Sequence, residues 1–247
     1  MSADTQQNLI ERLFSAGAHF GFGKSRRHPT VTPYLFGTKQ GTDIFDLEKT
    51  SVLLSEAEQV LEDAGKKGST VLFVGTKVEI SGIVKAAAEK IDMPFMTNRW
   101  IGGTLTNFSE IKKRVARLTE LKAQGESGEL ERKYTKKERV VIGRELDKLA
   151  FNFGGIEQME RIPQLMVVID PRHDFIAVNE ARELGIPVVA VSSSDVDLGK
   201  IDYPIVANDA LRGSVTLLLG CLTGAYEKGK AEFVPPVRNT TEVKRRA

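Results

Sequence analysis

The chain has 247 residues, 41% apolar and 28% charged, with a formal net charge of +2. This suits one large or two small soluble domains with a substantial core. No apolar run is long enough to span a bilayer, the opening MSADTQQNL has neither a secretory nor a transit pattern, and the single cysteine, Cys221, excludes an internal disulfide and points to a reducing, cytoplasmic setting. Charge is unevenly distributed. Arg12 to Thr42 holds five cations and no acid, Thr97 to Arg117 holds five cations against Glu110, and the tail from Glu227 holds six against three. Such runs are ordinarily solvated surface, but three on a near-neutral average outline a footprint for a polyanion.

In chain order, Leu9, Ile10, Leu13 and Phe14 mark one face of a first helix, which Gly17 ends. Gly17 to Gly41, rich in glycine and proline, reads as loop. Asp43 to Leu47 reads as a short strand, and Glu48 to Lys66 as a helix with Val52, Leu53, Ala57, Val60 and Leu61 inward. An α/β rhythm follows: strand Thr70 to Val74, helix Val78 to Ile91, strand Pro94 to Thr97, strand Leu165 to Asp170, helix Phe175 to Leu184, strand Pro187 to Val191, helix Asn208 to Tyr226. Continuous apolar strands alternating with amphipathic helices imply a parallel sheet covered on both faces.

Between Thr106 and Gly154 the rhythm breaks. Phe108, Ile111, Val115 and Leu118 are spaced by three, four and three; Ile142, Leu146, Leu149 and Phe153 by four, three and four. The polar linker KAQGESGELERK lies between them. Narrow stripes on charge-rich helices predict an antiparallel coiled-coil hairpin inserted into the α/β domain; two ordinary packing helices are the alternative. The expected division is an α/β domain over 1–105 and 155–227, the hairpin over 106–154, and a flexible basic tail over 228–247.

The stretch RWIGGTLTNF, Arg99 to Phe108, is built to hold rather than to transform. Gly102 and Gly103 permit close approach, and Thr104, Thr106 and Asn107 can donate to phosphate or sugar oxygens. Arg99, Lys112 and Lys113 favour a polyanion. Trp100 reads either as a stacking platform or as a core anchor. A second loop, Gly21 to Gly37, groups Lys24, Arg26, Arg27 and His28; arginine binds phosphate with two prongs and stacks on bases. Competing chemistry is thin. GFGKS lacks the leading glycine of a phosphate loop and follows a helix, not a strand. Gly75-Thr76-Lys77 sits at a strand-to-helix turn, either an anion site or a plain helix start. His19, His28 and His173 have no metal spacing, and His19 reads as a hydrogen-bonded structural residue.

LFSAGAHFG, PYLFG, VLFVGTK, RWIGGTLTNF, FGGI, VVIDPR, ARELGIPVVAV and DYPI…ND, in this order and spacing from about Leu9 to Glu227, resemble the bacterial-type small-subunit ribosomal protein S2 family. The resemblance implies a flavodoxin-like three-layer domain with a protruding coiled-coil hairpin. It also implies a structural role in translation without catalysis. The partners it implies are small-subunit (16S-type) rRNA, neighbouring small-subunit proteins and the large OB-repeat protein that loads messenger RNA. Where the family commonly has HFGHQ this chain has Phe22 in place of the second histidine, its tryptophan after the paired arginines is His28 here, and the loop after PVVAV is Ser192 to Asp197, so no metal is expected at those positions.

The RNA-binding residues expected are therefore Lys24, Arg26, Arg27, His28, Arg99, Gly102, Gly103, Thr104, Thr106, Asn107, Lys112 and Lys113, with no catalytic residue, metal, cofactor, membrane or small-molecule substrate. A nucleotide-hydrolysing enzyme using the carboxyl edge of the sheet, and a scaffold binding only proteins, are the competing functions.

Overall fold

A computed structural model describes residues 3–233. The chain begins with α1 (Ala3–Ser15), which Gly17 closes in the left-handed conformation at φ 73°. The segment expected as loop supplies two strands of a small antiparallel sheet, whose third is the short strand expected from Asp43, shifted to Thr42–Phe45. The strands of this sheet are β1 (Phe20–Gly23), β2 (Leu35–Lys39) and β3 (Thr42–Phe45), in spatial order β1-β3-β2. α2 (Leu47–Lys66) starts at Asp46, whose carboxylate accepts from the Glu48 and Lys49 amides. Val52, expected inward on α2, is exposed.

The body follows with β4 (Val71–Val74), α3 (Val78–Lys90), β5 (Phe95–Met96), α4 (Phe108–Glu126), α5 (Glu129–Lys133), α6 (Lys136–Phe153), β6 (Leu165–Ile169), α7 (Phe175–Glu183), β7 (Val188–Ser192), β8 (Tyr203–Val206) and α8 (Arg212–Ala231). The five later strands form one parallel sheet in the order β5-β4-β6-β7-β8. Alternation along the strands separates two cores. Val71, Phe73, Val167 and Val189 join the cluster under α1, α2, α3 and α8, while Leu72, Val74, Val168 and Ala190 join the cluster under α4, α6 and α7. Both faces are covered, which is why these strands read as unbroken apolar runs. α2 and α8 lie so close that a Cβ on Gly229 would overlap the Glu62 carbonyl, and one on Gly65 the Tyr226 carbonyl.

The two stripes lie on α4 and α6, which fold back along each other with Arg117 paired to Glu145 at 3.4 Å. Ile111, Leu118, Leu149 and Phe153 are buried in the second core, and Phe108, Val115, Ile142 and Leu146 pack against it. The linker expected between the stripes is partly helical: α4 runs to Glu126, and α5 precedes a capping box in which Thr135 and Glu138 satisfy each other's amides. Two other boundaries move. Residues 208–211 form a turn closed on Asn208 Oδ1 before α8 begins. At its far end α8 continues through Lys228 to Ala231, with Lys228 paired to Glu62 at 2.8 Å. Four residues assigned to the tail are thus helical; 234–247 lies outside the described residues. The strand β8, which opens on the half-buried Tyr203 and Pro204 before the buried Ile205 and Val206, was missed in sequence because its apolar run is only two residues long.

Candidate nucleic-acid interface

The carboxyl ends of the parallel strands open on one side of the body, where ligands bind in open α/β sheets. The loop after β5 carries Arg99 to Asn107. The loop after β6 carries Asp170 to Asp174, and that after β7 Ser193 to Asp197. The small antiparallel sheet is fastened to this same end. The Phe22 amide donates to Ser194 Oγ at 2.9 Å and the His28 amide to the Ser194 carbonyl at 2.8 Å. The Asn208 amide donates to the Ala18 carbonyl and its Nδ2 to the Phe20 carbonyl. Both loops singled out in the sequence therefore lie at one end of the sheet. Between them, after β6, stand the exposed Arg172, whose Nη1 donates to Asp195 Oδ2 at 2.6 Å, and His173; neither was among the expected RNA-binding residues, and the signal was a strand-end PRH at the carboxyl edge.

The Arg99–Asn107 loop is organised around an anion of its own chain. Glu180, buried on α7, accepts at Oε1 from Trp100 Nε1 (3.0 Å) and the Gly103 amide (2.8 Å). At Oε2 it accepts from the amides of Leu105 (2.9 Å) and Thr106 (3.2 Å) and from Thr106 Oγ1 (3.3 Å). Burial pushes its carboxyl up, but the bonds from Trp100, Leu105, Gly103 and Thr106 outweigh this and hold it below the usual glutamate range. Gly103 sits at φ 87°, which bends the loop over the carboxylate. Trp100 is thereby a core anchor. Thr104 is buried with Oγ1 bonded to the Ile101 carbonyl at 2.5 Å, so it and the Gly103 and Thr106 donors are consumed internally. Arg99, Gly102, Thr106 and Asn107 remain at the surface. Glu180 was missed because a lone glutamate on a short helix carries no sequence signal of the loop it holds.

Arg27 requires the second correction. Its Nε donates to Asp43 Oδ2 at 2.8 Å, and its Nη2 bonds Asp43 Oδ1 and Thr38 Oγ1. Asp43 is buried between the sheets, and the Arg27 hydrogen bond draws its carboxyl below the ordinary value. The guanidinium is a structural counter-ion and is withdrawn from any phosphate. Its neighbour Arg26 is exposed, with the guanidinium carbon 5.8 Å above the Phe22 ring. Arg27→Ala should therefore lower the melting temperature by several degrees while Arg26→Ala leaves it unchanged, a contrast that thermal denaturation checks. Lys24 is exposed, and half-buried His28 holds Thr30 at the start of a 3-10 turn, Nδ1 lying 2.8 Å from Thr30 Oγ1. Lys112 reaches the Glu160 carbonyl at 3.1 Å and Lys113 pairs with Glu110 at 2.6 Å; both are exposed.

The alternative chemistries resolve in the same way. GFGKS lies on an antiparallel edge strand and the turn after it, not at the end of a buried parallel strand, so it is no phosphate loop. Lys77 is committed to the interior, 2.5 Å from Asp170 Oδ2 and 3.9 Å from Asp209 Oδ1. Thr76 donates from both amide and hydroxyl to Asp174, starting α3 in place of binding an anion. His19 stacks on Phe14 with centroids 4.5 Å apart, and its Nδ1 has no partner among the described residues. It is a stacked rather than a hydrogen-bonded histidine, with its pKa lowered by burial.

A doubly wound sheet whose strand-end loops are largely tied to one another through Glu180, Asp174 and Asp170, beneath an exposed rim of cations, defines a binding scaffold of α/β class. The chain matches the profile of ribosomal protein S2 over residues 13–229, and it belongs to that family. It is 39% identical to the small ribosomal subunit protein uS2 of Mesoplasma florum over 236 residues, covering 95% of this chain and 88% of the relative. With the uS2 of Solidesulfovibrio magneticus it shares 40% identity over 235 residues, 94% and 91% of the two chains, and with that of Lawsonia intracellularis 39% over 222 residues, 90% and 76%.

Proposed function

We propose that this protein is a structural constituent of the small ribosomal subunit, holding small-subunit rRNA by shape and phosphate contact. It serves translation without catalysing a reaction, as its family does. The observation that carries the RNA assignment is the gathering of Lys24, Arg26 and Arg99, all exposed, at one end of the sheet. Lys112 and Lys113 extend the basic surface along α4. Asn107 and the open backbone at Gly102 are the neutral donors, Thr106 being committed to Glu180, and His28 keeps the basic loop in shape. In this reading the α/β body, 1–105 and 155–227, carries the RNA face together with the base of the insertion at Asn107, Lys112 and Lys113. The insertion, 106–154, presents the exposed Tyr134, Val140 and Val141 to a neighbouring protein. The OB-repeat protein that loads messenger RNA is the partner the family resemblance supports.

Affinity for small-subunit rRNA should fall steeply with salt, the log–log slope steepening by about 0.7–0.9 for each phosphate engaged. Lys24→Ala with Arg26→Ala should flatten that slope by between one and two, with no loss of melting temperature. A binding curve indifferent to salt would overturn the assignment.

A further inference from the structure

The small antiparallel sheet carries a feature that phosphate contact does not use. At β2 the pairing moves from Leu35 opposite Phe45 to Gly37 opposite Ile44, so Phe36 is the extra residue of a β-bulge. Bulges re-aim side chains, and this one turns out a phenylalanine that is 83% exposed on an edge strand. Leu35, its predecessor, pairs with the buried Phe45 on the body side, whereas Ile44 and Thr42 alternate to the outer face together with Lys39, which pairs with Thr42. Across β3 lies β1. There Gly21 faces the body, since a Cβ on it would meet Phe45 and Asp43, and Phe20 faces outward at 46% exposure. Phe22 lies beneath the Arg26 guanidinium. Strands in a sheet are about 4.8 Å apart, so the aromatic groups of β1 and β2 are separated by about 10 Å across β3. Lys24, Arg26 and Lys39 are exposed around them, and the run from Arg12 to Thr42 holds no acid.

Exposed rings on a small sheet, fringed by cations and with the sheet's one carboxylate, Asp43, buried and paired to Arg27, combine the two elements that hold single-stranded nucleic acid: π-faces for bases and charge for the backbone. A duplex keeps its bases stacked inside and would leave Phe36 unused. We propose that the outer face of β1-β3-β2 is a stacking platform for unpaired RNA bases, with Phe36 as its principal ring and Lys24, Arg26 and Lys39 on the phosphates. The inference rests on the RNA-binding reading above and names the kind of RNA that this part of the surface takes.

The test uses the full chain, a short oligoadenylate, an RNA duplex of the same length, and small-subunit rRNA. The platform requires the oligoadenylate to bind more tightly than the duplex. Phe36→Ala should weaken oligoadenylate binding by about 5-fold to 100-fold, leave duplex binding unchanged and leave the melting temperature unchanged. Phe36→Trp should restore the affinity, and its emission should be quenched as oligoadenylate is added; Trp100, the only native tryptophan, is buried and so gives a steady background. Equal oligoadenylate affinities for the wild type and Phe36→Ala, or no preference over the duplex, would overturn the platform while rRNA binding that responds to Lys24→Ala and Arg26→Ala leaves the broader reading standing. Failure of the wild type to bind rRNA at all would sink both.

Discussion

Glu180→Ala should cost about 3–5 kcal/mol of folding stability, one of the two largest effects expected in this chain. The carboxylate gathers five donors, from Trp100, Gly103, Leu105 and Thr106. Truncation leaves these donors without their acceptor at a largely buried site. In urea denaturation the midpoint should fall, and the melting temperature should drop by on the order of 10 °C. Trp100 reports the event locally: freed from Glu180, its emission should shift to the red. Glu180→Gln should retain part of the stability, because one amide oxygen still accepts while the NH2 opposes the donors it faces. The pH dependence has a definite sign. A carboxyl held below its ordinary value stabilises the fold above the unfolded pKa, and that contribution is lost as pH falls through the folded pKa. Wild type should thus lose stability in acid more steeply than Glu180→Gln. A Glu180→Ala protein with unchanged midpoint and unchanged Trp100 emission would show that the loop holds itself.

Asp209→Asn should act in the opposite direction and stabilise the protein at pH 8 by about 2–4 kcal/mol. Asp209 is buried just before α8, facing Lys77, Asp170 and Asp195, and its Oδ2 has no partner among the described residues. Burial, reinforced by Asp170, pushes the carboxyl up to about 7, against the pull of Lys77. A folded pKa above the unfolded one means that the folded protein holds the extra proton between about pH 4 and pH 7. Stability from this group is therefore fully present below about pH 4 and lost progressively as pH rises to the folded pKa near 7. The asparagine keeps the shape without the charge, so the two proteins should be equally stable near pH 4, diverge progressively from there to about pH 7 and differ by a constant amount above it. Parallel pH profiles would sink the prediction.

Three carboxylates, Glu180, Asp174 and Asp170, explain why a fold that often hosts ligands at its strand ends is inert here. Glu180 fills the donor nest of the loop after β5, Asp174 takes both donors of Thr76, and Asp170 holds Lys77. What remains open at this end is a rim of flexible cations and a few neutral donors. Such a surface recognises charge and shape, which suits a large folded RNA better than a small molecule.

By itself the sequence determined the body: the α/β rhythm, the helices of the insertion and the family. Those features repeat locally. Continuous apolar strands, 3-4 stripes and terminal caps each span a few residues, and burial on both faces of a sheet leaves no other pattern available to β4, β6 and β7. The resemblance rested on the same segments in order. Tertiary structure alone decided which of the marked polar groups were free. Arg27 meets Asp43 sixteen positions away, and Trp100 meets Glu180 eighty positions away. Isolated charged residues carry no periodicity, so neither pairing shows until the fold brings its partners together. Of the small sheet only the central strand, expected from Asp43, was legible, and its two partners were hidden for a related reason. The sheet's strands are only four or five residues long, two of them contain glycine and two are bulged, and they are held by pairing across the chain and by the ends of β7 and β8, not by their own propensity.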